Sequence, residues 1–168
     1  NGLLYAIDKH SLKEWKDNEF VKIKNGDFDH LTQVQSLLLT SHKNSIESVN
    51  VLSKVFNIDK VFSICSYNEK FLLGREGRIS LFQNQSINKD IVFPDKFKSS
   101  YVSSMVVNDK SIYAGTMGNG IMVFNLDKGN FSHLFQVQDQ NINEQNIIKL
   151  QSDNNKLWVG YLNGLKVY

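Results

Sequence analysis

The residues that could bind a metal ion or exchange protons are concentrated in one irregular stretch in the first quarter of the chain. They are Asp27, Asp29, His30 and His42. Their spacing matches no metal-ligand or catalytic motif, so turn and surface positions are the favoured interpretation. His10 and His133 each stand among polar residues, a setting typical of solvated loops. We therefore predict no catalytic residue and no metal site.

Cysteine and arginine supply the next candidates for chemistry. Cys65 is the only cysteine, which excludes an internal disulfide and a cysteine-rich zinc site. No base is spaced to activate its thiol, so we predict a structural role. Arg75 and Arg78, in the sequence GREGR, form a small basic spot that could hold a carboxylate or a sulfate. A solvated turn is the favoured interpretation of that spot.

A glycine-rich segment, GTMGNG at residues 115–120, has the composition of a phosphate-binding loop. Such a loop joins a strand to a helix, whereas strand-like residues follow here, so the segment is predicted to be a turn. Asp109 and Asp153 fall in equivalent turns between strands, and turn chemistry explains both without catalysis. We therefore expect a protein that is not an enzyme and needs no cofactor.

The two tryptophans, Trp15 and Trp158, could stack on a sugar ring. Trp158 occupies a repeated position that Leu72 and Tyr113 also fill, so it is predicted to lie in the core. Trp15 belongs to no repeat and is the better candidate for an exposed aromatic. The sequence assigns no ligand-binding residue.

Composition narrows the classes of partner. The chain has 168 residues and a net charge of +2, from 19 basic and 17 acidic side chains. The charges are scattered, so no basic face for nucleic acid is predicted. No apolar run approaches 18 residues, so we expect no membrane span. The first residues show no signal peptide.

A repeated sequence pattern indicates the elements that position these side chains. Three stretches can be superposed: ICSYNEKFLLGREGRISLF (64–82), MVVNDKSIYAGTMGNGIMVF (105–124) and LQSDNNKLWVGYLNGLKVY (150–168). Each contains a short apolar strand, a polar turn, a strand ending in glycine, a glycine-containing turn and a strand ending in an aromatic residue. The structural positions are Gly74, Gly115 and Gly160, then Gly120 and Gly164, then Phe82, Phe124 and Tyr168.

Short strands in units of about 40–45 residues are the signature of a β-propeller. We predict an all-β propeller segment of about four blades, each a four-stranded antiparallel sheet, with under about 10% helix because no sustained helical stripe of apolar residues occurs. A weaker copy at 36–51 carries Thr40 at the glycine position. The predicted units are an outer strand at 1–8 and blades at about 13–58, 59–92, 99–133 and 144–168.

The repeated sequences QSDNNKLWVGYLNGLKVY and NDKSIYAGTMGNGIMVFNLDKG resemble the two-component-regulator propeller repeat, while EKFLLGREGRISLF departs from it at Arg75. The resemblance implies the extracytoplasmic sensor region of a bacterial hybrid histidine kinase, in which such propellers often recognise glycan fragments. It therefore implies a periplasmic or extracellular location and a small-molecule or oligosaccharide ligand.

Two other functions stay open. A propeller could be a scaffold for protein–protein interaction, or an enzyme such as a polysaccharide lyase or quinoprotein, since GLLYAIDKHSL also resembles a quinoprotein strand. An enzyme should bring acidic, histidine or tyrosine residues together from equivalent loops of several blades, which the repeats do not show. A kinase encoded beyond this segment would favour the sensor.

Two expectations about stability follow from the repeat. Gly115→Val and Gly160→Val should both destabilise the fold, because the repeated glycine permits a close backbone approach. Thr40 should mark a blade that tolerates a side chain there. Since the sequence pattern assigns the same strand of a blade to both ends, we expect an open segment of a larger propeller, completed by further blades of the same parent chain.

Overall fold

The computed structural model describes residues 4–34, 37–42, 45–48, 55–84, 86–133, 145–153 and 155–168. Within these ranges the chain forms antiparallel β-sheets and one short 3-10 helix, Asp95–Phe97. None of the described helical segments is long and apolar enough to cross a membrane. The chain divides into two compact units, Asn1–Val61 and Phe62–Tyr168.

The first unit contains two sheets. Sheet I has three strands in the order β1-β2-β3: β1 Tyr5–Asp8, β2 Ser11–Lys16 and β3 Glu19–Asn25. Sheet II has four strands in the order β4-β5-β6-β7: β4 His30–Val34, β5 Leu37–His42, β6 Ser45–Ser48 and β7 Val55–Asn57.

The second unit contains three sheets. Sheet III comprises β8 Ser63–Tyr67, β9 Lys70–Arg75, β10 Arg78–Gln83 and β11 Ser86–Val92. Sheet IV comprises β12 Tyr101–Asn108, β13 Ser111–Met117, β14 Ile121–Asn125 and β15 Asn130–His133. Sheet V comprises β16 Ile147–Asp153, β17 Lys156–Tyr161 and β18 Gly164–Val167.

The sheet boundaries differ from the predicted units in the first unit. Residues 5–25 form one three-stranded sheet, so the predicted outer strand at 1–8 is the first strand of sheet I and not the last strand of a preceding blade. The predicted blade at 13–58 is divided between sheets I and II. The physical reason is a two-residue turn in which Asp17 and Asn18 both have positive φ, 48° and 67°, and which folds β3 back on β2. The described residues therefore hold five sheets, two of them three-stranded.

The polar turns of the three clear repeats join the first two strands of sheets III, IV and V. Their left-handed residues are Asn68, Asp109 and Asn155, with φ of 52°, 51° and 63°. Asparagine and aspartate tolerate this conformation better than other residues with a side chain. The turn role predicted for Asp109 agrees with this geometry, since its conformation explains why that residue type is there.

Two apolar layers hold the second unit together. Sheets III and IV enclose Leu72, Ile79, Phe93, Val102 and Ile112, all almost fully buried. Sheets IV and V enclose a second layer, made of Ile121, Val123, Ile147, Leu150, Leu157 and Val159. Each such side chain contributes about 1.5–3 kcal/mol by transfer from water, so packing between sheets provides most of the driving force.

Candidate ligand-contact surface

The repeated glycines mark where one sheet approaches the next. A Cβ on Gly74 would overlap Ser63 Oγ and lie 2.7 Å from Val102 Cγ1, and a Cβ on Gly115 would lie 2.9 Å from Ile147 Cβ. At Gly160 the nearest atom would be Lys149 O at 3.5 Å, an ordinary contact. The close-approach role predicted for all three glycines therefore has a geometric basis at Gly74 and Gly115 and none at Gly160.

The corresponding position of sheet II is Ser41 and not the predicted Thr40. Ser41 pairs with Ile46 one step before the turn, as Gly74 pairs with Ile79. The Ser41 carbonyl accepts from the Asp29 N–H, as the Gly74 carbonyl accepts from the Phe62 N–H. The side chains of Ser41 and of its neighbour Thr40 are both buried. Neither hydroxyl has a hydrogen-bond partner within the described part of the chain. The packing of sheet II thus accommodates a side chain at the glycine position, but it leaves two polar groups buried without a described partner, which is costly.

The glycine-rich turn at 115–120 forms hydrogen bonds with the backbone of the same chain. The N–H groups of Gly118 and Gly120 both donate to the Gln145 carbonyl, at 3.0 and 2.9 Å, and Gly120 has a φ of 65°. These donors are therefore occupied by the protein and do not form a phosphate cradle. In sheet V, Gly164 pairs with Tyr161 in the ladder, so the two-residue turn is Leu162–Asn163 and the predicted turn glycine, Gly164, is the first residue of β18.

The repeated aromatics fall into two groups. Phe82 and Phe124 are buried, whereas Tyr168 is 43% exposed and its hydroxyl lies 2.9 Å from the Tyr161 hydroxyl. Trp158 is 36% exposed, so its predicted place in the core is wrong. It has the predicted repeat position on β17, but no described sheet of the second unit packs against the face on which it lies. Trp15 is exposed, as its lack of a repeat predicts, and contacts Phe20 edge-on.

Among the described side chains, the acid–base candidates do not assemble into a site. His10 Nδ1 lies 3.3 Å from Asp27 Oδ1, and both side chains are well exposed. His30, His42 and His133 lie in strands β4, β5 and β15, with side chains outside the described part; His133 is therefore not in the predicted loop. The described residues hold no group of three or more histidine, cysteine, aspartate or glutamate side chains suited to a metal ion.

Cys65 lies partly buried on β8. Burial raises the pKa of its thiol, and the hydrogen bond from the Val107 backbone and the charge of Lys149 offset only part of that effect. A thiol with a raised pKa carries little thiolate and is a poor nucleophile. The geometry is therefore that of a structural thiol.

The basic spot of GREGR is neutralised by its own sheet. Arg78 Nη1 lies 3.1 Å from Asp90 Oδ2, Ser80 Oγ donates to Asp90 Oδ1 at 2.6 Å, and Arg75 Nη1 lies 3.5 Å from Ser80 Oγ. Burial acts to raise the pKa of Asp90, but the hydrogen bonds from Ser80 and Arg78 and the arginine charges outweigh it and hold that pKa below its usual value. A carboxylate of the protein thus occupies the place of a bound anion.

The arrangement that sequence reasoning missed lies where the first strands of sheets III and IV begin. Tyr101 opens β12 beside Met117, the last residue of β13, and bridges to Glu76 in the turn of sheet III. The rings of Phe62 and Tyr101 meet edge to face with centroids 4.9 Å apart. Tyr101 is 42% exposed and Met117 is also exposed. We call these three side chains, Phe62, Tyr101 and Met117, the Tyr101 surface.

Backbone contacts hold this surface in place. Gly77 has a φ of 64°, its N–H donates to the Ser100 carbonyl at 2.8 Å, and a Cβ there would lie 2.8 Å from the carbonyl carbon of Lys98. Asn119 Nδ2 donates to Ser100 Oγ at 2.8 Å. Both turns that flank Tyr101 are thus fixed to the segment that precedes it. The available signal was an aromatic residue at the start of two consecutive units, which the superposed repeats did not include.

Comparison with known proteins decides the fold. No family model matches the sequence, and no curated protein does. Among solved structures, the extracellular domain of the one-component system BT4673 from B. thetaiotaomicron superposes with a TM-score of 0.77 at 14% identity, over 98% of this chain and 25% of that one. The extracellular domain of the hybrid two-component system BT3049 from the same organism gives 0.70 at 12%, over 99% and 27%. The WD40 β-propeller domain of Doa1 gives 0.76 at 15%, over 99% and 60%.

The chain has the β-propeller fold. It is all-β, its antiparallel sheets have three or four strands, and it spans about a quarter of the length of the BT4673 and BT3049 chains. The fold class predicted from the repeat is therefore confirmed. At these identities the similarity concerns the fold and leaves the ligand open.

Proposed function

We propose that this chain is a non-enzymatic, ligand-sensing β-propeller segment from the extracytoplasmic part of a two-component regulator, located in the periplasm or outside the cell. The repeat resemblance and the similarity to extracellular sensor domains support this function. Further blades of the same parent chain would complete the propeller. The proposed ligand is a glycan or another small molecule with an apolar face.

The Tyr101 surface carries the proposal. Exposed aromatic rings provide a flat apolar face, and a tyrosine hydroxyl adds a hydrogen-bonding group at its edge. A sugar ring has the matching chemistry, because its C–H groups lie on its faces and its hydroxyls lie at its rim. The Tyr101 ring packs edge to face against Phe62, which restricts its rotation, so less conformational entropy is lost when a ligand binds.

Tyr101→Ala tests this function by isothermal titration against a panel of soluble oligosaccharides. We expect the substitution to weaken binding by about tenfold or more, the effect of removing a central aromatic anchor. Phe20→Ala is the matched control, because Phe20 is equally exposed at 42% on sheet I and should leave affinity unchanged. Equal loss with both variants, or binding that survives Tyr101→Ala, would contradict the proposed site.

A scaffold for protein–protein interaction is the second candidate. The exposed apolar side chains of Tyr101 and Met117 favour it, since aromatic residues and methionine are enriched at interfaces. Under this alternative no oligosaccharide of the panel gives a heat of binding, and a purified partner protein binds in a manner that Tyr101→Ala weakens.

A further inference from the structure

One face of sheet V is apolar, and no other described sheet of the second unit packs against it. Trp158 pairs with Val167 and Gly160 pairs with Leu165 in the β17–β18 ladder, so these residues share a face. Leu157 and Val159 lie on the opposite face and pack against sheet IV. Trp158, Leu165 and Val167 are 36, 62 and 44% exposed. We call the side of sheet V that carries these residues the Trp158 face.

The equivalent faces of sheets III and IV are both covered, each by the first strand of the following sheet. Val102 at the start of β12 lies over Gly74, and Ile147 at the start of β16 lies over Gly115. Val102 and Ile147 are both β-branched, and in both strands a β-bulge follows directly. The two interfaces therefore use one arrangement, in which a β-branched side chain fits into the space that a glycine leaves.

Polar contacts accompany this arrangement. Ser63 pairs with Gly74 and donates to the Val102 carbonyl at 2.8 Å, and Ser104 pairs with Gly115 and accepts from the Leu150 N–H at 3.0 Å. Each serine thus bonds to the backbone of the covering strand. In sheet V the residue paired with the glycine is Lys149. An ammonium group only donates, so the covering strand of the Trp158 face must offer a carbonyl or carboxylate there.

We propose that the Trp158 face is a docking surface for one further antiparallel sheet of the same repeat, whose first strand places a valine or isoleucine over Gly160 and an oxygen acceptor near Lys149. The Trp158 face continues the geometry of the two interfaces already formed in this unit. The proposal needs only the propeller fold, so it stands whether or not the Tyr101 surface binds a ligand.

The test uses the full chain with a C-terminal extension that repeats residues 125–168, since Tyr168 and Phe124 are equivalent positions. Trp15→Phe in the chain and Trp158→Tyr in the repeated segment leave the original Trp158 as the single tryptophan. The extension should shift its fluorescence to shorter wavelength and reduce its quenching by acrylamide. Unchanged fluorescence and quenching would overturn the proposal.

Glycine variants give a second, independent readout. Gly160→Ala should lower the melting temperature of the extended protein by about 4 °C or more and leave the 168-residue chain unharmed. Gly115→Ala, the control, should lower both, because its interface exists in both. The proposal is wrong if Gly160→Ala is harmless in both proteins. It is also wrong if sedimentation shows that the 168-residue chain forms a dimer which Trp158→Lys dissociates, because a second copy would then cover the face.

Discussion

At the scale of single residues, the packing of this chain depends on where a Cβ has room. Gly74 and Gly115 lie under side chains of the next sheet, and the nearest of those atoms belong to the stiff, β-branched Val102 and Ile147. Such side chains cannot rotate away, because χ1 of a β-branched residue is restricted. Gly160 has the same repeat position, but a Cβ there would make only ordinary van der Waals contacts. Glycine at this repeat position is therefore required by close packing in sheets III and IV and not in sheet V.

Alanine substitutions at these glycines should change the free energy of unfolding in opposite directions. Gly74→Ala and Gly115→Ala should destabilise the fold by about 1–3 kcal/mol, the usual cost of overpacking a core. Gly160→Ala should be neutral or stabilise by about 0.4–1 kcal/mol, because alanine reduces the entropy of the unfolded chain. Urea unfolding of the three variants checks this, and a loss at Gly160 equal to that at Gly115 would contradict it.

At the scale of elements, cross-strand pairs on sheet III fix the β10–β11 hairpin. Ser80 and Asp90 are opposite each other in the ladder, and Arg78 reaches the same carboxylate. The group neutralises its own charges, which explains why a basic spot in the sequence does not become an anion site. Because the pKa of Asp90 is held below its usual value, this hairpin is the part of the second unit in which we expect acid sensitivity.

Acid should weaken this hairpin through Asp90. A carboxyl whose folded-state pKa is lowered contributes stability that is fully present above its unfolded pKa, about 3.9, and is lost as the pH falls through the folded pKa. The melting temperature of the unmodified chain should therefore fall more between about pH 5 and about pH 2 than that of Asp90→Asn.

Asp95→Asn is the control for the acid experiment. The pKa of Asp95 is also lowered, by its hydrogen bond to Lys98, but its side chain is almost fully exposed and such pairs contribute little. The Asp95→Asn variant should therefore lose as much stability on acidification as the unmodified chain. An Asp90→Asn profile that coincides with the unmodified one would show that the hairpin does not depend on this carboxylate.

At the scale of the whole molecule, the sheets differ in how much of each strand they bury. β13 has a neighbour on each side and alternates into both apolar layers, whereas β3 and β18 are last in their sheets and almost entirely exposed. Stability in a repeat architecture is a sum of unit and interface contributions, so it should be distributed unevenly.

Hydrogen exchange followed by mass spectrometry should show that uneven distribution. Peptides covering β9 and β13 should exchange slowest, because their amides are bonded in the middle of four-stranded sheets and covered by buried side chains. Peptides covering β3 and β18 should exchange fastest among the strands. Uniform protection across all strands would contradict the unequal burial seen here.

The propeller repeat is encoded locally in the sequence. Each of the three clear repeats places its central glycine (Gly74, Gly115 or Gly160) ten residues after its first residue. This spacing specifies a strand, a polar turn and a second strand, because turn chemistry and strand alternation are local properties. The repeat does not predict the hairpin at Asp17 and Asn18, because that hairpin lies outside the repeated sequences. It changes the sheet boundaries of the first unit.

Which of the equivalent residues are buried depends on packing between sheets. Leu72, Tyr113 and Trp158 share one repeat position, yet Leu72 is almost fully buried and Trp158 is exposed. The repeat specifies the face of the sheet on which a side chain lies, whereas burial requires a second sheet to pack against that face. The Tyr101 surface has the same origin in part: Met117 is opposite Tyr101 within the β12–β13 hairpin, whereas Phe62 reaches Tyr101 only because sheets III and IV pack together.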